Sequence, residues 1–194
     1  MVTHDAVAVP LETVSPFARQ AVVAAEDERF YRHHGVDVIG ILRALAYDAS
    51  HLSLRQGAST ITEQLAKELY LGGNDHSAWL KLEDAVLAVR IESHMSKEQI
   101  RDEYLNTVYF GHGAFRIKQA AERYFHASPA RLTLAQSSLV AGLIHAPSAD
   151  DPFSSPRAAR LRQADVLTSM IHNHDVTLVE ADRVLATPLS LAGA

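Results

Sequence analysis

The residues best equipped for chemistry begin at an acidic pair, Glu26-Asp27, which closes the apolar turn Ala21 to Ala25 and runs on through Glu28-Arg29-Phe30-Tyr31-Arg32-His33-His34-Gly35. Carboxylates at the end of a helix oppose its macrodipole, which favours cations there. An acid in that place is mildly costly and invites a reason. The bland reason is a solvated helix end paired with Arg29 and Arg32. A second cluster, Gln56-Gly57-Ala58-Ser59-Thr60-Ile61-Thr62-Glu63-Gln64-Leu65-Ala66-Lys67, joins a glycine turn to a capping box, Thr60 with Glu63. Thr60, Gln64 and Lys67 then share one polar helix face, and Ile61, Leu65 and Leu69 are expected to face a core. Free amides at a helix start, a hydroxyl and an ammonium suit a phosphate or diphosphate. The same spacing also makes Glu63 and Lys67 an ordinary i, i+4 ion pair.

Three further stretches carry weaker signals. Lys81 and Asp84 lie three apart on a helix whose Leu82, Val86 and Val89 read as a buried stripe, with Ala85 beside it. A Lys–Asp pair of this kind is usually surface decoration. Tyr104 to Gly113 is a helix end and aromatic turn, which core packing and glycine caps explain as well as chemistry does. Arg160 and Arg162 flank an apolar helix containing Val166, Leu167 and Met170, where a solvated face or a structural salt bridge is the default. His33-His34 and the pair His172 and His174 lack a metal-site pattern such as H-E-x-x-H, so no metal site is expected.

The elements that must hold these residues are helical. Ser15-Pro16 and Ser155-Pro156 each set a capping hydroxyl before a proline at the first helical position. Capping boxes recur at Thr60 with Glu63, Ser96 with Gln99, Thr133 with Gln136 and Thr177 with Glu180. Gly35, Gly72-Gly73, Gly111 and Gly113 mark stops and turns. Helices are predicted at about 16–27, 37–50, 60–71, 77–94, 97–107, 114–125, 133–144, 156–173 and 177–186. Thr107 to Phe110 is the only strand-like piece, so the fold class is all-α. The apolar segment Val36 to Leu54, interrupted by Arg43, Asp48 and His51, reads as a buried helix plus loop or as a surface that dips into lipid headgroups.

Composition narrows the function classes. With 194 residues the chain is expected to form one domain, 1–194. A net charge of -5 argues against a duplex nucleic-acid binder, and the absence of Cys excludes disulfides and thiol chemistry. No stretch reaches the ~18 apolar residues of a membrane span. Met1 to Val9 lacks the pattern of a signal peptide, so an anchor, if the domain works outside the cytoplasm, is expected to lie beyond this sequence.

The order and spacing of the five clusters resemble the motifs of the peptidoglycan glycosyltransferases, found as monofunctional enzymes and as the first catalytic domain of bifunctional penicillin-binding proteins. The family pattern E-D-x-x-F-x-x-H-x-G is matched by Glu26, Asp27, Phe30, His33 and Gly35. G-[GA]-S-T-I-T-Q-Q-L-x-K-N is matched from Gly57 to Lys67, with Glu63 for Gln and Glu68 for Asn beyond it. R-K-x-x-E aligns with Leu80-Lys81-Leu82-Glu83-Asp84, Y-L-N-x-x-Y-F-G is matched from Tyr104 to Gly111, and R-R-x-x-V-L aligns with Arg162 to Leu167. The likeness runs from about Ser15 to Met170.

The resemblance implies a lysozyme-like helical larger lobe, a smaller membrane-apposed lobe and a cleft between them. The implied substrate is lipid II, with the growing glycan chain on undecaprenyl pyrophosphate, at the extracytoplasmic face of the bacterial cytoplasmic membrane. By analogy Glu26 is the general base on the acceptor 4-hydroxyl and Asp84 the second essential acid. Asp27, Phe30, His33, Gly57, Ser59, Thr60, Gln64, Lys67, Lys81, Asn106, Arg116 and Arg162 are the implied substrate-binding residues, and moenomycin-type inhibitors are implied ligands. No cofactor is implied as required; a divalent cation, Mg2+ or Mn2+, has room at the pyrophosphate.

The sequence departs from the pattern in three places. Asp84 is one methylene shorter than Glu, with Glu83 beside it. Leu80 replaces an arginine, and Arg116 stands where the family usually has glycine, a cation that would compensate from another loop. Two alternatives follow. A lipid II-binding module without turnover would keep binding but make no polymer, and a lytic transglycosylase-like enzyme would cleave purified peptidoglycan and need no diphosphate site.

Overall fold

The computed structural model describes residues 13–51, 59–71 and 78–193. Among them the chain forms nine α-helices: α1 (Pro16–Glu26), α2 (Val38–His51), α3 (Ile61–Ala66), α4 (Ala78–Glu92), α5 (Lys97–Leu105), α6 (Arg116–Phe125), α7 (Leu134–Leu143), α8 (Pro156–His172) and α9 (Leu178–Ala186). Short 3-10 turns cover Phe30–Arg32 and Pro129–Arg131, and a π turn, Lys67–Leu71, continues α3. Among the described residues extended pairing is confined to single bridges, His34 with Val36 and Tyr109 with Phe115, the second at the predicted strand-like piece. No helix of the described residues is long and apolar enough to cross a membrane. The fold is all-α.

Caps fix most helix starts where the sequence put them. Thr60, Thr133 and Thr177 each accept from the backbone N–H three residues on, and Glu63, Gln136 and Glu180 return the bond to the cap's own N–H. Ser96 and Gln99 do the same. The two serines before proline behave differently from expectation. The Ser15 hydroxyl donates to the Leu132 carbonyl at 2.7 Å, and Ser155, at φ -133 and ψ 58, makes no side-chain cap bond. Ser155 lies outside the extended backbone that aims a capping oxygen at the helix amides.

The chain divides into two compact units, one of residues 1–25 and 105–194, the other of residues 26–104. In the first, α7 packs on α8 and α8 on α9. Leu139, Val140, Leu143, Val166, Leu167 and Met170 are buried there, and Arg160 ties α8 to the end of α9 through the carbonyls of Val184 and Thr187. In the second, α3 packs on α4 around Ile61, Leu65 and Ala88.

The second unit reverses two core assignments. Leu82, Val86 and Val89 are exposed rather than buried. A Cβ on Gly35 would sit 2.7 Å from the Val89 nitrogen and 2.9 Å from the Ala88 carbonyl carbon, so the Gly35 backbone lies directly on α4. Ala88 is buried at that approach, and the larger stripe turns outward. Leu69 is likewise 43% exposed, although Ile61 and Leu65 are fully buried. Leu69 sits inside the π turn, whose i→i+5 bonds are one residue wider than those of an α turn, so it leaves the phase that would align it with Ile61 and Leu65.

The apolar segment after Val36 is not a buried helix. Among its described apolar side chains only Ala44 is buried, while Val38, Ile39, Leu42 and Tyr47 are exposed. Its start is firmly built. Asp37 pairs with Arg29 at 3.1 Å, and a Cβ on Gly40 would lie 2.5 Å from the Asp37 carboxylate, so glycine alone lets that carboxylate reach the helix amides. Burial acts to raise the Asp37 carboxyl, but the Gly40 N–H and the Arg29 guanidinium outweigh it and hold it below the usual range.

Candidate active site

Glu26 is the last residue of α1, where the helix leaves its final carbonyls without partners and a negative charge has no help from the dipole. The help comes from α3. The Gln64 side-chain amide donates to Glu26 Oε2 at 2.9 Å, and the Tyr104 hydroxyl on α5 donates to Gln64 Oε1 at 2.7 Å. Tyr104 is 1% exposed. Burial, and then the charges of Glu26, Glu68 and Asp27, push its phenol well above the ordinary range.

Asp27 and His33, whose side chains are 4% and 5% exposed, lock the loop after α1 to the start of α3. His33 Nε2 meets both Asp27 oxygens, at 3.0 and 2.9 Å, and Asp27 Oδ2 also accepts the Ile61 backbone N–H at 3.0 Å. Thr60 Oγ1 donates to the Gly35 carbonyl at 2.6 Å. Gly35, at φ +91, takes a backbone that favours glycine, which is why this loop ends where it does. Phe30 is fully buried, with the Lys97 ammonium 4.4 Å from its ring centre. Lys97 in turn bonds Glu92, which also accepts from Thr62 on α3. These contacts make a braced cradle on which Gln64 and Glu26 sit.

The expectation of free amides at the start of α3 is corrected by this bonding. The Thr60 N–H goes to Glu63, the Ile61 N–H to Asp27 and the Glu63 N–H to Thr60 Oγ1. The amides of Thr60, Ile61 and Glu63 are therefore not what this face can offer an anion. Lys67 lies three residues beyond Gln64, at the α3 C-cap, and has no ion-pair partner among the described residues; Glu63 folds back on the cap rather than forward to it. Ser59 is exposed just ahead of the helix.

Asp84 is half-buried on α4, in the same unit as Glu26. Gly57 and the side chain of Lys81 lie outside the described residues. Asn106, Arg116 and Arg162 belong to the other unit. Asn106 is 8% exposed just after α5, and Arg162 reaches Asp165 at 3.7 Å while its stem lies over Gly142. Arg116 holds φ +73, a backbone that suits the glycine usual in the resembling family. No three acidic or imidazole side chains of the described residues converge where a metal ion could be held. Tyr104 was missed by sequence reasoning. It opens the Tyr104–Gly111 motif but reads there as core, and the available signal was that a buried tyrosine needs a partner for its hydroxyl.

A carboxylate held by a side-chain amide, with a lysine three residues further along the same helix, provides the residue types that general-base chemistry beside an anion needs. The sequence pattern of the Transglycosylase family matches residues 2–171. Penicillin-binding protein 1A of Neisseria lactamica is 42% identical over 167 residues, covering 86% of this chain and 21% of that protein. A Cupriavidus necator protein, named provisionally as a transglycosylase, is 42% identical over 183 residues, 94% of this chain and 78% of its own length. The crystal structure of penicillin-binding protein 1A from Haemophilus influenzae superposes with a TM-score of 0.54 at 20% identity, over 96% of this chain and 18% of that one, a likeness of fold. The chain thus spans about a fifth of the length of the penicillin-binding proteins it matches. From the extent of the pattern and the identity to the Cupriavidus protein, the chain belongs to the transglycosylase family.

Proposed function

We propose that this domain is a peptidoglycan glycosyltransferase that polymerises lipid II into β-1,4-linked glycan strands with release of undecaprenyl pyrophosphate. The reading takes residues 1–194 as one catalytic domain. The observation that carries it is the face of α3. Gln64 holds the Glu26 carboxylate at 2.9 Å, and Lys67 follows three residues later without an acidic partner among the described residues.

In this reading Glu26 takes the proton of the acceptor sugar's 4-hydroxyl as that oxygen attacks the donor's anomeric carbon. The bond to the diphosphate breaks on the opposite side, so the centre inverts. The departing diphosphate gains negative charge in the transition state, which Lys67, Lys81 and Ser59 are positioned in sequence to receive. Asp84 serves as the second acid. Asp27, His33, Thr60 and Phe30 hold the loop and helix rather than the sugar. Asn106, Arg116 and Arg162 are the further substrate-binding residues of this reading, and Arg116 supplies a cation that Leu80 does not. A divalent cation, Mg2+ or Mn2+, would share the charge of the diphosphate in this reading. Moenomycin-type phosphoglycolipids would compete for the same site.

Apolar side chains on three elements of residues 26–104 support a membrane-surface location, at the extracytoplasmic face where a lipid-linked sugar is presented. Val38, Ile39 and Leu42 on α2, Leu69 and Tyr70 on the π turn, and Leu82, Val86 and Val89 on α4 are all exposed, and Leu82, Val86 and Leu87 line an apolar pocket of about 420 Å³. Exposed apolar surface of this extent marks an interaction surface.

The test is incubation of the domain with labelled lipid II and separation of the products by chain length. Polymer from the native domain and none from Glu26→Gln is the expected pair of results. Polymer from Glu26→Gln would remove Glu26 from the role of base. Lipid II or moenomycin binding with no polymer from the native domain would overturn the transferase reading in favour of a binding module.

A further inference from the structure

A carboxamide looks nearly the same either way round, yet its two ends act oppositely on a neighbouring carboxylate. With its nitrogen forward, Gln64 donates to Glu26 and favours the ionised form. With its oxygen forward, it sets a lone pair against that charge and favours the protonated form. What decides the orientation is on the far side of the amide. Tyr104 presents a hydroxyl hydrogen there, at 2.7 Å from Gln64 Oε1, and only the carbonyl end can accept it.

We propose that Tyr104 is a positioning residue for the base, acting through Gln64: its hydroxyl fixes the amide so that Nε2 faces Glu26 and the carboxylate is held ionised in one plane. The inference rests on the reading of Glu26 as the general base. Three independent features support it. Tyr104 is 1% exposed, so water does not compete for its hydroxyl. Burial, and then three acidic groups, act on its hydroxyl: Glu26 at the end of α1, Glu68 on the π turn and Asp27 in the loop after α1. They oppose loss of the phenol proton, so the hydroxyl remains a donor throughout the working pH range. The amide's other neighbours are also fixed, since Gln64 stands on a helix whose start is clamped by Asp27 and Glu63. Its backbone is therefore fixed, leaving the flip of the amide as the freedom that Tyr104 removes.

The phenol does not donate its proton to the sugar and takes no part in bond making. Its contribution appears in how much of the enzyme holds Glu26 ready at a given pH. A packing role would appear only in stability.

The experiment compares native enzyme with Tyr104→Phe, Gln64→Glu and Glu26→Gln, measuring kcat and KM for lipid II across pH and the urea midpoint of each. Tyr104→Phe keeps the ring and deletes the oxygen. It is expected to lower kcat about tenfold, the scale of one net hydrogen bond, with KM within about twofold and the acid limb of kcat moved to higher pH. Gln64→Glu keeps an acceptor for Tyr104 but puts a second carboxyl against Glu26. It is expected to move the acid limb upward by about one pH unit or more. If Glu26→Gln is inactive while Tyr104→Phe and Gln64→Glu keep the native acid limb, the positioning role is overturned and the base remains. A fall in the Tyr104→Phe urea midpoint with a native acid limb also overturns it, because that is the mark of packing alone. Polymerisation by Glu26→Gln would instead overturn the base itself.

Discussion

Exchanging Asp27 for Asn replaces one oxygen by an amino group, and its surroundings convert that change into a loss of roughly 2–4 kcal/mol. The native carboxylate satisfies two donors, His33 Nε2 and the Ile61 N–H, with Oδ2 shared between them. Asparagine has one acceptor end. If its oxygen keeps Ile61, its amino group confronts His33 Nε2, which must then accept, and the imidazole hydrogen moves to Nδ1. That atom is buried and has no hydrogen-bond partner among the described residues, so the hydrogen is stranded at a cost of about 1–3 kcal/mol. If the oxygen instead keeps His33, two donors face each other at the start of α3. Either way the charge-assisted bond is gone. For a chain of this size the loss corresponds to a fall in Tm of roughly 5–15 °C, read by circular dichroism together with the urea midpoint. A double-mutant cycle with His33→Gln should give a coupling above about 1 kcal/mol. A loss below about 0.5 kcal/mol, or additive effects of the two substitutions, would refute the account of the clamp.

Other perturbations test other joints. Arg116→Gly is expected to raise stability by about 0.5–1 kcal/mol in urea unfolding, because relief of a left-handed backbone exceeds the added freedom of glycine in the unfolded chain; the same variant should bind lipid II more weakly, and unchanged affinity would reject Arg116 as the compensating cation. Asp37 sits below its ordinary range in the folded state, so its stabilisation is present above the unfolded value of about 3.9 and is lost as pH falls through the lower folded value. Asp37→Asn should therefore lower the urea midpoint at pH 6 and flatten its decline between pH 4 and pH 2, values chosen to bracket the transition at about 3.9. Leu42→Asp on the exposed face of α2 is expected to reduce co-sedimentation with phospholipid vesicles roughly tenfold while leaving the fold intact, since the lost apolar burial alone is worth about that much.

The helices were legible because their ends are written locally. Thr60, Thr133 and Thr177 each carry their reciprocal partner three residues on, and no tertiary contact is needed to see it. Ser15 and Ser155 show the limit: a hydroxyl before a proline does not reveal that another carbonyl, here Leu132, has claimed it. The apolar stripe of α4 was assigned to the wrong side because the deciding neighbour, the bare backbone of Gly35, has no side chain to enter a periodicity argument. At the candidate site, Glu26, Gln64 and Lys67 stood out by order and spacing. What could not be read was which partners the polar groups choose. The amides of Thr60 and Ile61 were expected to be open to an anion and are instead bonded within the protein, while Tyr104, read as core, reaches Gln64.

The wide turn at Lys67–Leu71 gives this short stretch of chain two allegiances. A regular spiral would have kept Leu69 aligned with Ile61 and Leu65 and drawn the aromatic ring of Tyr70 round with it. The added residue works like a shim: upstream the segment stays committed to the interior and to Gln64, downstream it hands its greasy side chains to the outside. Removing one residue from that turn would leave composition and charge almost untouched yet return Leu69 inward. A hydrophobic edge would thereby be traded for an overfilled interior beside the acid.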